Sequence, residues 1–237
     1  LYIMWDILIV DKSASMIHNI DDIKRGFSEL LEEQMKQESE NRFTVIAFNT
    51  DVEILTDDIF VNTIDVTDKI TNVNGLTALL DAIGQAYELI LKQTENKDIT
   101  LTVITDGQEN CSRKYTKSEL DKLKKEIDND YNLKMTFIGA DKDCLYGNPI
   151  SLHANYSVSC EGNLLGAMRT ASSSMSSQRE GTDYIPEGIV DVSQNKVSSI
   201  DIGPLLMKRS PTVSSDDASC CIKIKKHKVI EGFNTST

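Results

Sequence analysis

Cysteine is scarce and unpatterned in this 237-residue chain. The five residues, Cys111, Cys144, Cys160, Cys220 and Cys221, are odd in number and include no Cys-x-x-Cys pair. That density is far below a disulfide scaffold, and with histidine only at positions 18, 153 and 227 a structural zinc site is disfavoured. Free thiols in a reducing compartment are the expectation. Long apolar runs are missing as well: no stretch reaches the roughly 18 to 20 apolar residues that a membrane-spanning helix needs. The apolar start, Leu1 to Val10, has neither the basic leader nor the small-residue cleavage site of a secretory signal. Sequons at Asn110, Asn155 and Asn234 are short patterns that arise by chance, so a cytoplasmic location is expected. Positive charge is also short. The 25 Lys and Arg face 37 Asp and Glu, for a net charge of −12. Such a surface repels nucleic-acid phosphates and anionic membranes, but it does not repel metal cations.

What is present is ordinary globular composition, 40% hydrophobic and 26% charged, in a chain long enough for one substantial domain with an appendage. Residues 1–180 alternate strand-like and helix-like segments. Tyr2 to Val10 is apolar on nearly every side chain, as a strand covered on both faces would be, and stops at Asp11. Further short strands are expected at Phe43–Phe48, Ile99–Ile104, Leu133–Ile138 and Tyr156–Val158, with a more acidic, alternating edge strand or hairpin arm at Val52–Val61. Helical spacing predicts helices over Ile17–Gln37, Thr77–Leu91, Lys117–Ile127 (capped by Thr116 or Ser118) and Asn163–Ser177. The pattern is that of an α/β fold, doubly wound and Rossmann-like, with a mostly parallel sheet and helices on both faces. Ligands of such sheets sit beyond the carboxyl ends of the strands.

Residues 181–237 differ. They are rich in Ser and Thr, hold three of the four prolines, and carry 7 basic and 7 acidic residues, so the whole negative excess falls on the body. Partial order to about residue 207 and disorder after it is the expectation for this extension.

The strongest local feature is Asp11-Lys12-Ser13-Ala14-Ser15, directly after the first buried strand. A carboxylate and two hydroxyls meet there beside a helix start. Two more elements end at the same sheet edge: Asn74-Gly75-Leu76-Thr77 opens a helix with a hydroxyl, and Thr105-Asp106-Gly107 closes a strand with a carboxylate. Together they are hard oxygen donors, suited to Mg²⁺, Mn²⁺ or Ca²⁺ rather than to zinc or copper.

With these residues the chain resembles a von Willebrand factor type A domain carrying a metal-ion-dependent adhesion site. Asp11, Ser13, Ser15, Thr77 and Asp106 match the five ligand positions, set in Trp5–Val10, Gly75–Ala82 and Val103–Gly107, and the likeness runs over about residues 1 to 178. The resemblance implies that Ser13 and Ser15 ligate the metal through their hydroxyls. It implies that Thr77 binds directly or through water, and that Asp11 and Asp106 act largely through bound waters, with Asp106 direct when no ligand is present. It further implies a protein partner that presents an Asp or Glu carboxylate, and binding rather than catalysis as the output.

The same residues have plainer uses. Asp11, Ser13 and Thr77 are good helix caps, and Asp81 reads as a structural residue of a first helical turn. Gln108, Glu109 and Asn110 either shape partner choice or are ordinary loop polars. The Cys220–Lys228 stretch is most simply a solvated basic tail, the Ser172–Ser177 cluster a helix end running into a linker, and the methionines and Trp5 core. Two other functions compete. One is a scaffold or regulatory subunit with a structural metal. The other is a phosphoester hydrolase, which would want a second acid two residues after Asp11, where Ser13 stands.

Overall fold

The computed structural model describes residues 4–36, 41–93, 98–139, 153–159, 163–179 and 190–191. Strand β1 (Trp5–Asp11) is followed by a 3-10 turn, Ala14–Asn19, and helix α1 (Ile20–Met35). Then come β2 (Arg42–Phe48), β3 (Val52–Phe60), the single-turn α2 (Thr67–Ile70) and α3 (Leu79–Lys92). The rest is β4 (Asp98–Thr105), α4 (Lys117–Asp130), β5 (Asn132–Gly139), β6 (Tyr156–Ser159), α5 (Leu164–Arg179) and the two-residue β7 (Val190–Asp191). The seven strands form one sheet in the order β3-β2-β1-β4-β5-β6-β7. Pairing is parallel except at the two edges, where β3 and β7 run antiparallel to their neighbours.

The position of β1 between β2 and β4 explains its composition. All seven of its residues are buried. Trp5, Ile7 and Ile9 face a core shared with α3 and α4, whereas Leu8 and Val10 face the core shared with α1, α2 and α5. A strand with helices on both sides has no polar face, so the apolar run of the sequence follows from its place in the sheet. No residue of the edge strand β3 is fully buried; each is half-buried or exposed, as expected of a strand paired on one side only. Trp5 is core, its Nε1 donating to Thr44 Oγ1 at 3.0 Å, and Met4, Met16, Met135, Met168 and Met175 are buried as well.

Several boundaries differ from the expectation. The first helix starts later: Ile17 lies in the 3-10 turn and is 53% exposed. Met35, at the end of α1, is exposed rather than core. The second helix opens at Leu79, because the residues before it are pinned in a loop, Ala78 N–H donating to Asn49 O at 2.8 Å. The serine cluster forms the helix end expected for it, and the residues directly after Arg179 that would be the linker fall outside the described residues. The cluster lies inside α5, where Gln34 Nε2 of α1 donates to Ser172 Oγ at 2.9 Å, and Ser173 and Ser177 hydroxyls donate to carbonyls one turn back. Apart from Val190–Asp191, the expectations for residues 181–237 fall outside the described residues. No helix among the described residues is long and apolar enough to cross a membrane.

Candidate functional site

The carboxyl ends of β1 and β4 are adjacent, with Val10 in register with Ile104, so the turns that follow them meet. The turn after β1 is built on Asp11. Its Oδ1 accepts the Ser13 backbone N–H at 2.7 Å, which folds the chain back at once. Lys12, between them, turns aside and pairs with Glu53 at 3.0 Å. The Ser13 and Ser15 hydroxyls lie 3.0 Å apart, and Ser15 Oγ donates to Asp106 Oδ1 at 2.6 Å. The other oxygen of Asp106 accepts from Asn19 Nδ2 at 3.2 Å. From the β4 side, Thr105 Oγ1 donates to Asp11 Oδ2 at 2.5 Å, so each turn supplies a hydroxyl to the other's carboxylate.

Thr77 reaches this cluster across Gly107. A Cβ built on Gly107 would fall 2.9 Å from Thr77 Oγ1 and 3.6 Å from Asp11 Oδ2, so no side chain could stand between them without displacing one. The loop that carries Thr77 is tied twice to the turn after β1. Ala14 N–H donates to Gly75 O at 3.2 Å, and Asn74 N–H to Lys12 O at 2.9 Å. Gly75 has φ +77°, a left-handed conformation that favours glycine, and its position against Thr50 Oγ1 would give a Cβ only 2.6 Å of room.

The segment after Asp106 is bound to the start of α3. Asn110 clamps Thr77, accepting its N–H at 2.9 Å and returning its own N–H to Thr77 O at 3.1 Å. Glu109 accepts Leu80 N–H at 2.8 Å, Ser112 N–H at 2.7 Å and Cys111 N–H at 2.9 Å. Asp81 accepts the N–H groups of Arg113, Lys114 and Tyr115 at 2.9, 2.8 and 3.0 Å. Ala78, at the cap position of α3, has no side chain to offer the first turn, and Glu109 supplies the acceptor from a separate loop.

These bonds show which of the plainer structural uses the residues serve. Ser13 stands at the cap of the 3-10 turn and makes no side-chain cap bond. Thr77 is not the cap of α3, since Ala78 holds that position. Asp81 is structural, as expected. Glu109 and Asn110 have internal partners, while Gln108 is exposed. Burial first, and then the adjacent Glu109, push the Cys111 thiol up, so it is no activated nucleophile.

The electrostatics favour a cation. Asp11 is fully buried, and that desolvation pushes its carboxyl up to about 6. Hydrogen bonds from Thr105 and Ser13 pull it down, and the charge of Asp106 pushes it up further. Two carboxylates are thus held close together, with three hydroxyls whose oxygens bring acceptor lone pairs. Among the described residues no group of three or more His, Cys, Asp or Glu side chains is placed to hold a metal. The five converging residues are a different set, all oxygen donors and mostly neutral, which fits Mg²⁺, Mn²⁺ or Ca²⁺ and not a soft metal.

All five positions chosen from the sequence therefore lie at one sheet edge. Asn19 and Thr105 were missed, because neither residue type is distinctive and only the fold brings them to the carboxylates.

The sequence profile of the von Willebrand factor type A domain matches residues 7–108, a range that includes all five. No curated protein sequence matches the chain. Among solved structures, a von Willebrand factor type A protein from Catenulispora acidiphila aligns with a TM-score of 0.53 at 15% identity, covering 72% of this chain and 42% of that one. A mutant of the PilB minor pilin from Streptococcus sanguinis gives 0.56 at 12% identity, covering 76% and 62%. Proximal thread matrix protein 1 from the mussel byssus gives 0.54 at 20% identity, covering 72% and 45%. The chain spans less than two thirds of the length of each. At these identities the likeness is one of fold, and that fold is the Rossmann-like α/β sheet of the von Willebrand factor type A domain, whose family profile the chain matches over residues 7–108.

Proposed function

We propose that this chain is a protein-binding module that holds a divalent cation at Asp11, Ser13, Ser15, Thr77 and Asp106 and through it takes a carboxylate from a partner protein. The observation that carries this reading is the Ser15–Asp106 hydrogen bond of 2.6 Å, which joins the turn after β1 to the turn after β4 in a cluster of oxygen donors. With Asp11 and Asp106 acting largely through bound waters, a hard cation here would have mostly neutral hydroxyls bonded to it directly and would attract one more anionic oxygen. An Asp or Glu side chain on another protein supplies one. Mg²⁺ is the expected occupant, with Mn²⁺ or Ca²⁺ as substitutes. Binding rather than hydrolysis is favoured because the position two residues after Asp11 is a serine hydroxyl, bonded to Ser15, and not a second acid.

The test is a thermal melt in Mg²⁺, Mn²⁺, Ca²⁺ and EDTA, repeated on Asp106→Ala and on the double variant Ser13→Ala/Ser15→Ala. A cation at about 100 times its dissociation constant stabilises by roughly 2.7 kcal/mol, a shift of several degrees for a domain of this size. The wild type is expected to shift with cation and both variants not to. Partner capture by the wild type should then be reversed by EDTA. A wild type that no cation moves would overturn the metal reading. A cation shift with no metal-dependent partner would leave a scaffold with a structural metal as the better account.

A further inference from the structure

We propose that Asn19 is a positioning residue of this cluster, fixing the orientation in which Asp106 meets a bound divalent cation. The proposal rests on the metal-binding reading above. Asn19 occupies the cap position of α1, where Asn is among the most favourable residues, yet its side chain makes no cap bond. Its Nδ2 instead donates to Asp106 Oδ2 at 3.2 Å, across 87 residues of sequence. The side chain thus serves a carboxylate in the turn after β4 rather than the first turn of its own helix.

The geometry gives this contact a purpose. Ser15 and Asn19 belong to the same 3-10 turn, and each holds one oxygen of Asp106, Oδ1 at 2.6 Å and Oδ2 at 3.2 Å. With Oδ2 tied to Asn19, Oδ1 is the oxygen turned toward the serine hydroxyls. The donor is also neutral. A Lys or Arg in its place would orient the carboxylate but cancel the charge that a cation needs, whereas an amide orients it and leaves the charge intact. Partners that orient a ligating carboxylate in this way commonly set metal affinity.

Mn²⁺ binding to the full chain, followed by the electron paramagnetic resonance signal of free Mn²⁺, tests the proposal on wild type, Asn19→Ala, Asn19→Ser and Asp106→Ala, with metal-free melts alongside. Asn19→Ser keeps a side chain able to cap α1 but too short to reach Asp106. Both Asn19 variants are expected to bind Mn²⁺ about tenfold more weakly, the scale typical of losing such a partner, with metal-free melting temperatures close to wild type. Unchanged Mn²⁺ affinity, with or without a fall in melting temperature, would show a merely structural residue and overturn the proposal. If wild type and Asp106→Ala alike fail to bind Mn²⁺, the metal reading itself is wrong and the role of Asn19 falls with it.

Discussion

Ser15 and Asp106 stand 91 residues apart in sequence and 2.6 Å apart in space, hydroxyl to carboxylate. That contact places Asp106 near Asp11, whose own carboxyl is pushed up partly by the Asp106 charge. Neutralising Asp106 without changing its shape therefore has two opposite effects. In EDTA, Asp106→Asn should melt at or slightly above the wild-type temperature, because a repulsion is removed. In Mg²⁺ it should show none of the wild-type shift. Scanning calorimetry of both proteins with and without cation checks both signs.

The raised Asp11 carboxyl makes a pH prediction for the metal-free protein. Its value rises from 3.8 to about 6 on folding, so between those limits the native state holds more protons than the unfolded chain. Stability must then fall as pH rises through that window and level off above it, by on the order of 2–3 kcal/mol from this group. Urea denaturation in EDTA from pH 4.5 to 7.5 should show the fall in wild type relative to Asp11→Asn. Saturating Mg²⁺ should abolish the difference by favouring the ionised carboxylate.

Asp81 accepts three successive backbone N–H groups, and Asp81→Ala would leave all three without that acceptor. The expected loss is roughly 3 kcal/mol, since bonds to a charged acceptor are worth more than neutral ones but are not additive. At this chain length that is about 6–12 °C in melting temperature. Urea denaturation of the variant measures it, and a change within error would show that water replaces the carboxylate.

Two contacts join α1 to α5 and should differ in worth. Gln34 is buried and donates to Ser172 Oγ at 2.9 Å, whereas the Arg169–Glu29 pair, at 2.6 and 3.0 Å, is well exposed. Gln34→Leu strands a buried hydroxyl and should cost about 1–3 kcal/mol. Arg169→Ala should cost less than about 1 kcal/mol, and less still at high salt. Denaturant unfolding of both variants orders them, and an equal or greater loss from Arg169→Ala would contradict this ranking.

The central strands were legible because burial on two faces leaves a short, β-branched apolar run, as in Trp5–Val10 and Ile99–Ile104. Asp11, Ser13, Ser15 and Asp106 could be picked out because each follows such a strand, where a parallel sheet gathers its turns. Asn19, and what Thr105 and Asn110 bond to, could not. Their roles depend on which carboxylate or amide the fold brings within 3.2 Å, and nothing in their own neighbourhoods says so. Helix starts were misplaced for a related reason. Residues 14–19 have helical spacing, but the Ser15 and Asn19 side chains are engaged by Asp106 and the Ala14 backbone N–H by Gly75 O, so the turn is 3-10 rather than α.

The central place of β1 bears on how the chain is made. β1 leaves the ribosome well before its neighbour β4, which begins only at Asp98. At about 5 to 20 residues per second, one edge of β1 waits on the order of 5 to 20 seconds for its partner. Through that interval a strand buried on every side chain in the finished domain has an open hydrogen-bonding edge, the arrangement most prone to pairing with another nascent chain. No cation can shorten the wait, because Asp106 emerges after the last residue of β4.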